Sequence, residues 1–344
     1  MQAAILGLYD PDRSQIPVEN GSESSWDNFV KYWQGLYTGY TANQGKGLAV
    51  LSESTTSPTL FRLHKEFLRT FPQAKWYVYE PVSDENIRSG MAAAASQENL
   101  IPMYSYDNAS VILSLESDFI TTESENIVNA RGFIDGRRIS SVKDEMNRLY
   151  VVESAFTLTG GMADHRKKLP AQHMFAFAVA LAKELQKEGI SVAGLDKSEI
   201  PADFSFDNKW IATLARDLTA NQGQSLLVAG RHQPPQVHAI VFAINDALAN
   251  TGKTVSYRRA KYELFDHTAD ISNLTAGINE GTVESLIMLG TNPVYHAPAD
   301  LDFSAALKKL KHSIHQGLYT DETAHKCEWH LPQAHFLESW LGYS

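Results

Sequence analysis

Short apolar runs, each ended by a polar or glycine-containing turn and followed by a helical stretch, recur along this 344-residue chain. Gly47-Leu-Ala-Val-Leu51 reads as a strand leading into the polar loop 52–58. After it Leu60, Leu63, Phe67 and Leu68 repeat at helical spacing. Lys75-Trp-Tyr-Val-Tyr79 is the next expected strand, and Asp84 is placed to cap a helix through Ala95. Further strands are expected over 111–115 and 149–152, and an Ala-, Phe- and Leu-rich helix over 169–185.

A second set follows Gly189, with helices over 206–220, 236–248, 267–278 and 305–310. Its strands are expected at 225–229, at 254–258, just before Gly290 and at 311–315, the last read as the final internal strand. Strands alternating with helices pack as parallel βαβ units with right-handed crossovers, so the expected class is α/β with mostly parallel sheets. The weakly periodic stretch 189–205, with Gly189, Gly194 and Pro201, reads as a linker. It divides a first α/β domain, 47–188, from a second, 206–344, with 1–46 as a lead-in segment.

Hydrophobic residues make up 43% and charged residues 20%, which suits a packed core rather than disorder. A formal net charge of −10 argues against general nucleic-acid binding, which needs clustered Lys and Arg to neutralise phosphate. No segment approaches the roughly 20 apolar residues of a membrane span. The first ten residues lack the basic n-region of an export signal. Cys327 is the single cysteine, so neither an intrachain disulfide nor a cluster held by four thiolates of this chain can form. It reads as a small, semi-buried residue before a strand. The six tryptophans read as core and interface anchors.

Three loops after strands carry suitable chemistry. Ser52 to Pro58, with Ser54 and Thr55, offers hydroxyls at a helix N-terminus. That is either an anion site or simply a capped helix with Pro in its first turn. Glu153 to Lys168 runs through Thr157, Thr159, Gly160 and Gly161 to Asp164, Arg166, Lys167 and Lys168. Here the backbone has room to approach a ligand and the cations suit a pyrophosphate, or else Asp164 and Arg166 pair with each other. Gly290-Thr291-Asn292-Pro293 ends a strand with backbone N–H groups and a short amide, which either meet a ligand or hold the turn.

Other chemistries lack their signatures. Neither Gly-x-Gly-x-x-Gly nor a Walker loop occurs. The 12 histidines are scattered, with no His-Glu-x-x-His and no zinc spacing; His330 and His335 stand near Cys327, but Pro332 interrupts them. Gly-x-Ser-x-Gly is absent, which argues against a hydrolase. No catalytic residue and no metal ligand is assigned.

Taken together, several stretches carry a resemblance. They are Ala4 to Ser14, Glu153 to Gly160 with Ala163-Asp-His-Arg166, Gly290-Thr-Asn-Pro293, Asp321-Glu-Thr-Ala324, and His330-Leu-Pro-Gln-Ala-His335 with Leu337-Glu-Ser-Trp340. The chain resembles the molybdopterin-oxidoreductase-like iron–sulfur subunit of alternative complex III, a bacterial quinol-oxidising membrane complex, over the centre of its molybdopterin-like half. The resemblance implies two Rossmann-like domains of the molybdopterin oxidoreductase architecture, formate dehydrogenase- or DMSO reductase-like, with the second domain truncated and the chain a fragment. It implies a structural and electron-transfer role in a respiratory complex, without a redox centre in this chain. Iron–sulfur clusters would belong only to the missing part of the parent subunit. The implied partners are haem c and integral membrane subunits, and the parent would lie on the periplasmic face of the inner membrane.

The resemblance also has departures. Cofactor-binding relatives have Asp-Pro-Arg where Glu153, Ser154 and Ala155 stand here, and losing Arg removes a fixed donor set for phosphate or guanine. They commonly have Gly-Ser-Asn-Pro where Glu116-Ser117-Asp118 stands, which puts two acidic groups where phosphates would lie. Only Gly290 to Pro293 is intact. The alternative is an active domain that binds molybdopterin guanine dinucleotide through Ser54, Thr55, Thr159, Gly160, Arg166, Gly290, Thr291, Asn292 and Pro293. A third reading is an unrelated α/β nucleotide-binding protein.

Overall fold

The computed structural model describes residues 4–195, 204–260 and 265–339. Pro201 of the expected linker, and Trp340, lie outside the described residues. In chain order the strands are β1 (Val18–Glu19), β2 (Ser22–Glu23), β3 (Leu48–Ser52), β4 (Lys75–Val78), β5 (Leu100–Tyr104), β6 (Val111–Leu115) and β7 (Arg148–Glu153). They continue as β8 (His165–Lys168), β9 (Ser225–Ala229), β10 (Val255–Arg259), β11 (Ser285–Leu289), β12 (His312–Gly317) and β13 (Trp329–Pro332).

The chain folds as two compact units, and the division corrects the expected one. Unit 1 runs up to Val82 and resumes at Phe265, whereas unit 2 runs from Ser83 to Ala260. The stretch 189–205 is therefore not a domain boundary, because β9 returns to pair in parallel with β6. Strand pairing, rather than local composition, decides which segments share a core.

Unit 1 has the sheet order β2-β1-β13-β12-β11-β3-β4. From β13 to β4 every pair is parallel. The hairpin β1–β2 adds antiparallel to β13 through an Asn20-Gly21 turn in which both residues have positive φ. The apolar runs of β3 and β11 are buried because helices cover them: Ala49, Leu51, Leu286 and Met288 pack with Ile271 and Leu274 of the His267–Asn279 helix. Tyr40 of the Trp26–Ala42 helix packs with Leu48, Phe71 and Ala74.

Unit 2 carries the parallel sheet β8-β7-β6-β9 and the separate antiparallel pair β5–β10. Its central helix, Met174–Lys187, buries Met174, Phe177, Val179, Leu181 and Leu185 among others. It starts later than expected, after Pro170 and a single 3₁₀ turn. Val111, Leu113, Leu115, Tyr150, Val152 and Leu227 pack against this helix and its neighbours Asn208–Ala220 and Pro235–Ala247.

Other differences have local causes. Asp84 occupies the N-cap of the Glu85–Ala95 helix without a side-chain capping bond. Its carboxylate instead accepts from Ser124 Oγ at 3.0 Å and faces Arg231 Nε at 3.7 Å. Residues 311–315 are not the last strand, because β13 follows β12 and pairs with it in parallel. Among the described residues no helix is long and apolar enough to cross a membrane.

Candidate functional site

In each unit the order of the parallel strands reverses direction once, and open α/β sheets take ligands at such points, beyond the carboxyl ends of the strands. In unit 1 the chain leaves β3 for β4 on one side, whereas β11 leads away to β12 and β13 on the other, so the reversal lies between β3 and β11. Two of the sequence-selected loops meet at this edge, since β3 and β11 pair from Ser285↔Leu48 to Leu289↔Ser52.

The Ser52 to Pro58 loop is largely spent on the helix it precedes. Ser57 Oγ accepts from Leu60 N–H at 3.5 Å, Pro58 opens the helix, and Thr55 Oγ1 accepts from Ser57 N–H at 3.1 Å. Ser54 N–H donates to Glu80 Oε1 at 3.1 Å. Asn292 is likewise engaged within the unit: its amide donates to Glu322 Oε2 at 2.7 Å and its carbonyl accepts from Thr323 Oγ1 at 2.6 Å. The Gly-Thr-Asn-Pro and Asp-Glu-Thr-Ala signposts are thus one hydrogen-bonded structure. Thr291 is buried, its Oγ1 lacks a partner, and Pro293 opens the short helix Pro293–His296.

What the sequence reading missed here is Glu53. Gly290, at φ +69°, leaves space beside it, and a Cβ at that position would stand 3.6 Å from both Glu53 Oε2 and Gln333 Oε1. Partial burial, and then repulsion from Glu80, push the Glu53 carboxyl up to about 7. An acid whose pKa is raised on folding binds its proton more tightly folded than unfolded. Its contribution is therefore fully present below the unfolded value of 4.5 and is lost as pH rises towards 7. Glu53→Gln should leave the melting temperature at pH 4 nearly unchanged and raise it at pH 8. Thermal melts at the two pH values check this, and an equal shift at both would contradict it.

In unit 2 the reversal lies between β6 and β9, and buried carboxylates fill it. Glu116, 8% exposed and with φ +52°, accepts from Ser154 N–H at 2.8 Å, Gln233 Nε2 at 2.6 Å and His232 Nε2 at 2.9 Å. Burial alone would push its pKa up, but the bonds from Ser154 and His232 outweigh that and hold it below its ordinary value. Asp118 accepts from the N–H of Thr159 at 3.1 Å, from Thr159 Oγ1 at 2.6 Å and from Thr121 Oγ1.

Glu153, 2% exposed, closes the third position. It accepts from Thr157 Oγ1 at 2.7 Å and pairs with Arg166 Nε at 2.5 Å. Gly160 packs so closely on this carboxylate that a Cβ would meet all of its carboxyl atoms within 2.8 Å. Arg166 therefore faces Glu153 rather than Asp164, which pairs with Arg137. The charged run His165–Lys168 is an edge strand, not a loop, with Lys167 paired to Asp207 at 3.1 Å.

The sequence-selected residues thus divide by unit. Ser54, Thr55 and Gly290 to Pro293 share the carboxyl edge of β3 and β11, and Thr159, Gly160 and Arg166 surround the carboxylates of unit 2. Cys327 is buried, and burial pushes its thiol up to about 12, as suits an inert packing residue. Among the described residues no three His, Cys, Asp or Glu side chains are grouped as a metal ion requires.

Each unit has the α/β class with mostly parallel strands that was read from the alternation of strands and helices. Among solved structures, the fold is similar to that of acetylene hydratase from Pelobacter acetylenicus, with a TM-score of 0.73 and 13% sequence identity. The similarity covers 98% of this chain and 57% of that one, so this chain spans little more than half of its structural neighbour. No family model matches the sequence, and no curated protein is similar to it in sequence.

Proposed function

We propose that this chain is part of the molybdopterin-like subunit of a bacterial quinol-oxidising complex of the alternative complex III type, with a structural role and no redox centre of its own. The observation that carries the reading is Glu116. A dinucleotide bound at the β6–β9 edge needs N–H donors free to meet phosphate, yet Ser154 N–H and Gln233 Nε2 already serve an internal carboxylate. Asp118 and Glu153 add two more acidic groups beside it, and Arg166 is neutralised by Glu153. These residues do not fit a diphosphate.

The structural similarity to acetylene hydratase supports the superfamily. The complex, its haem c and membrane subunits and the periplasmic location rest on the sequence resemblance. The competing reading, an active molybdopterin guanine dinucleotide domain, keeps one supporting observation: Gly290 to Pro293 stands intact at the unit 1 edge. Purifying the chain from a host that makes the cofactor, then assaying molybdenum and guanine nucleotide released on denaturation, separates the two. The proposal expects neither in folded protein, and stoichiometric amounts of both would overturn it.

A further inference from the structure

Strand register brings two imidazoles together inside unit 1. His315 of β12 pairs with His330 of β13, their rings stack at 5.2 Å, and they are 0% and 1% exposed. The two Nδ1 atoms lie 3.0 Å apart. The groups at the outer nitrogens fix both tautomers. His315 Nε2 is 3.2 Å from the carbonyl oxygen of Thr291, which can only accept, so the neutral ring carries its proton on Nε2 and leaves Nδ1 bare.

His330 must then donate from Nδ1, which leaves its Nε2 bare. That nitrogen lies 2.7 Å from Ser14 Oγ and accepts the hydroxyl proton. Behind His315, Asp321 Oδ2 stands 3.7 Å from Nε2. A carboxylate, two imidazoles and a serine hydroxyl therefore form one line. Burial lowers the pKa of His315, and burial followed by His315 itself lowers that of His330 to about 4, so the receiving nitrogen is unprotonated at neutral pH.

Ser14 is partly exposed and lines a surface cavity of about 480 Å³ with Tyr9, Asp10, Arg13, Gln15 and Gln333. Arg13 is held there by Glu338 at 2.6 Å. We propose that Ser14 is a nucleophile towards small activated acyl compounds in this cavity, with His330 as its general base. Ser14 Oγ attacks the carbonyl carbon while its proton passes to His330 Nε2 and the Nδ1 proton of His330 passes to His315 Nδ1. The resulting His315 cation faces Asp321. Collapse of the tetrahedral intermediate expels the alcohol, which takes back the proton from His330 Nε2 as the Nδ1 proton returns. Water then hydrolyses the acyl-serine by the same base.

The sequence lacks the Gly-x-Ser-x-Gly elbow because that motif belongs to a strand–turn–helix corner. Ser14 instead follows an isolated bridge between Arg13 and Tyr319. Such relays are recognised by geometry and roles rather than by local sequence.

The test treats the purified chain with a fluorophosphonate probe, whose fluoride leaves as Ser14 Oγ bonds to phosphorus, and maps the adduct by mass spectrometry. The expected result is one adduct, on Ser14, that is absent from Ser14→Ala and forms roughly 100-fold more slowly in His330→Gln. Circular dichroism confirms that each variant is folded. Should His330→Gln not fold, labelling of the wild type in urea replaces it, and loss of the adduct on unfolding is expected. No adduct on folded wild type, an adduct elsewhere, or labelling at the same rate in urea would each overturn the assignment.

Discussion

Gly230→Ala is expected to destabilise unit 2 by about 3 kcal/mol, at the upper end of the usual cost of overpacking a tight site. Gly230 directly follows β9, and its N–H donates to Leu115 O at 2.9 Å, which continues the parallel ladder with β6. A Cβ at this position would fall within van der Waals distance of the Glu116 carbonyl oxygen, 2.8 Å from the carbonyl carbon and 2.9 Å from His232 Cε1. Two of these three neighbours are backbone, so no side-chain rotation relieves the clash and the strands must separate. For a unit of this size the loss corresponds to a fall in melting temperature of roughly 6–12 °C. Urea unfolding followed by circular dichroism would measure it. A change below about 1 kcal/mol would mean that the β6–β9 junction is looser than the structure shows.

The same junction marks how far the sequence could be read. Strands β3, β4, β6, β7, β9 and β11 are legible because each carries an apolar run that ends on a turn, whereas β12 holds a single apolar residue, Ile314. Strand β8 is not, since His165-Arg-Lys-Lys168 is an edge strand whose polar side chains carry no apolar run. β13 is obscured by His330 and Pro332. The lead-in segment holds two local signals that its reading as a mere lead-in passed over. Asn20-Gly21 is a two-residue hairpin turn, and Ser25 caps a helix in which Phe29, Trp33, Leu36 and Tyr40 repeat at helical spacing.

The nested arrangement of the units left no such trace. Nothing near residue 83 or 260 announces that one unit interrupts the other, because that fact resides in which strands pair. The candidate site was legible in the same uneven way. Glu116 and Asp118 stand out as acidic residues just after an apolar strand. Their partners Gln233 and Thr159 lie 117 and 41 residues further on, brought back by the crossovers. Glu53 gave no signal, since a carboxylate in a polar loop differs from its neighbours only once Gly290 and Glu80 are folded against it.

Replacing Glu116 should separate the role of its charge from that of its shape. Glu116→Ala leaves Ser154 N–H and the buried Gln233 amide without an acceptor. Each unpaired group costs about 1–3 kcal/mol, which gives a loss of about 3 kcal/mol at pH 7 once His232, open to water, is discounted. Glu116→Gln keeps an acceptor for Ser154. Its new NH₂ group meets Gln233, whose Oε1 is buried and unpaired, so a half-turn of the Gln233 amide restores a bond. That variant should lose only about 1 kcal/mol. The pH dependence follows from the lowered pKa. A carboxyl depressed on folding contributes stability that is present above its unfolded value of 4.5 and is lost as pH falls through the folded value. Wild type should therefore lose stability relative to Glu116→Gln as pH drops below about 4.5, and the gap between them should narrow. Urea unfolding of the three proteins at pH 7 and pH 3.5 would follow it. A gap that stays constant across that range would mean that folding leaves the pKa of Glu116 unchanged, whereas wild type gaining on Glu116→Gln as pH falls would mean that Glu116 holds the β6–β9 edge as a neutral acid, and would remove the charge that closes this crevice to phosphate.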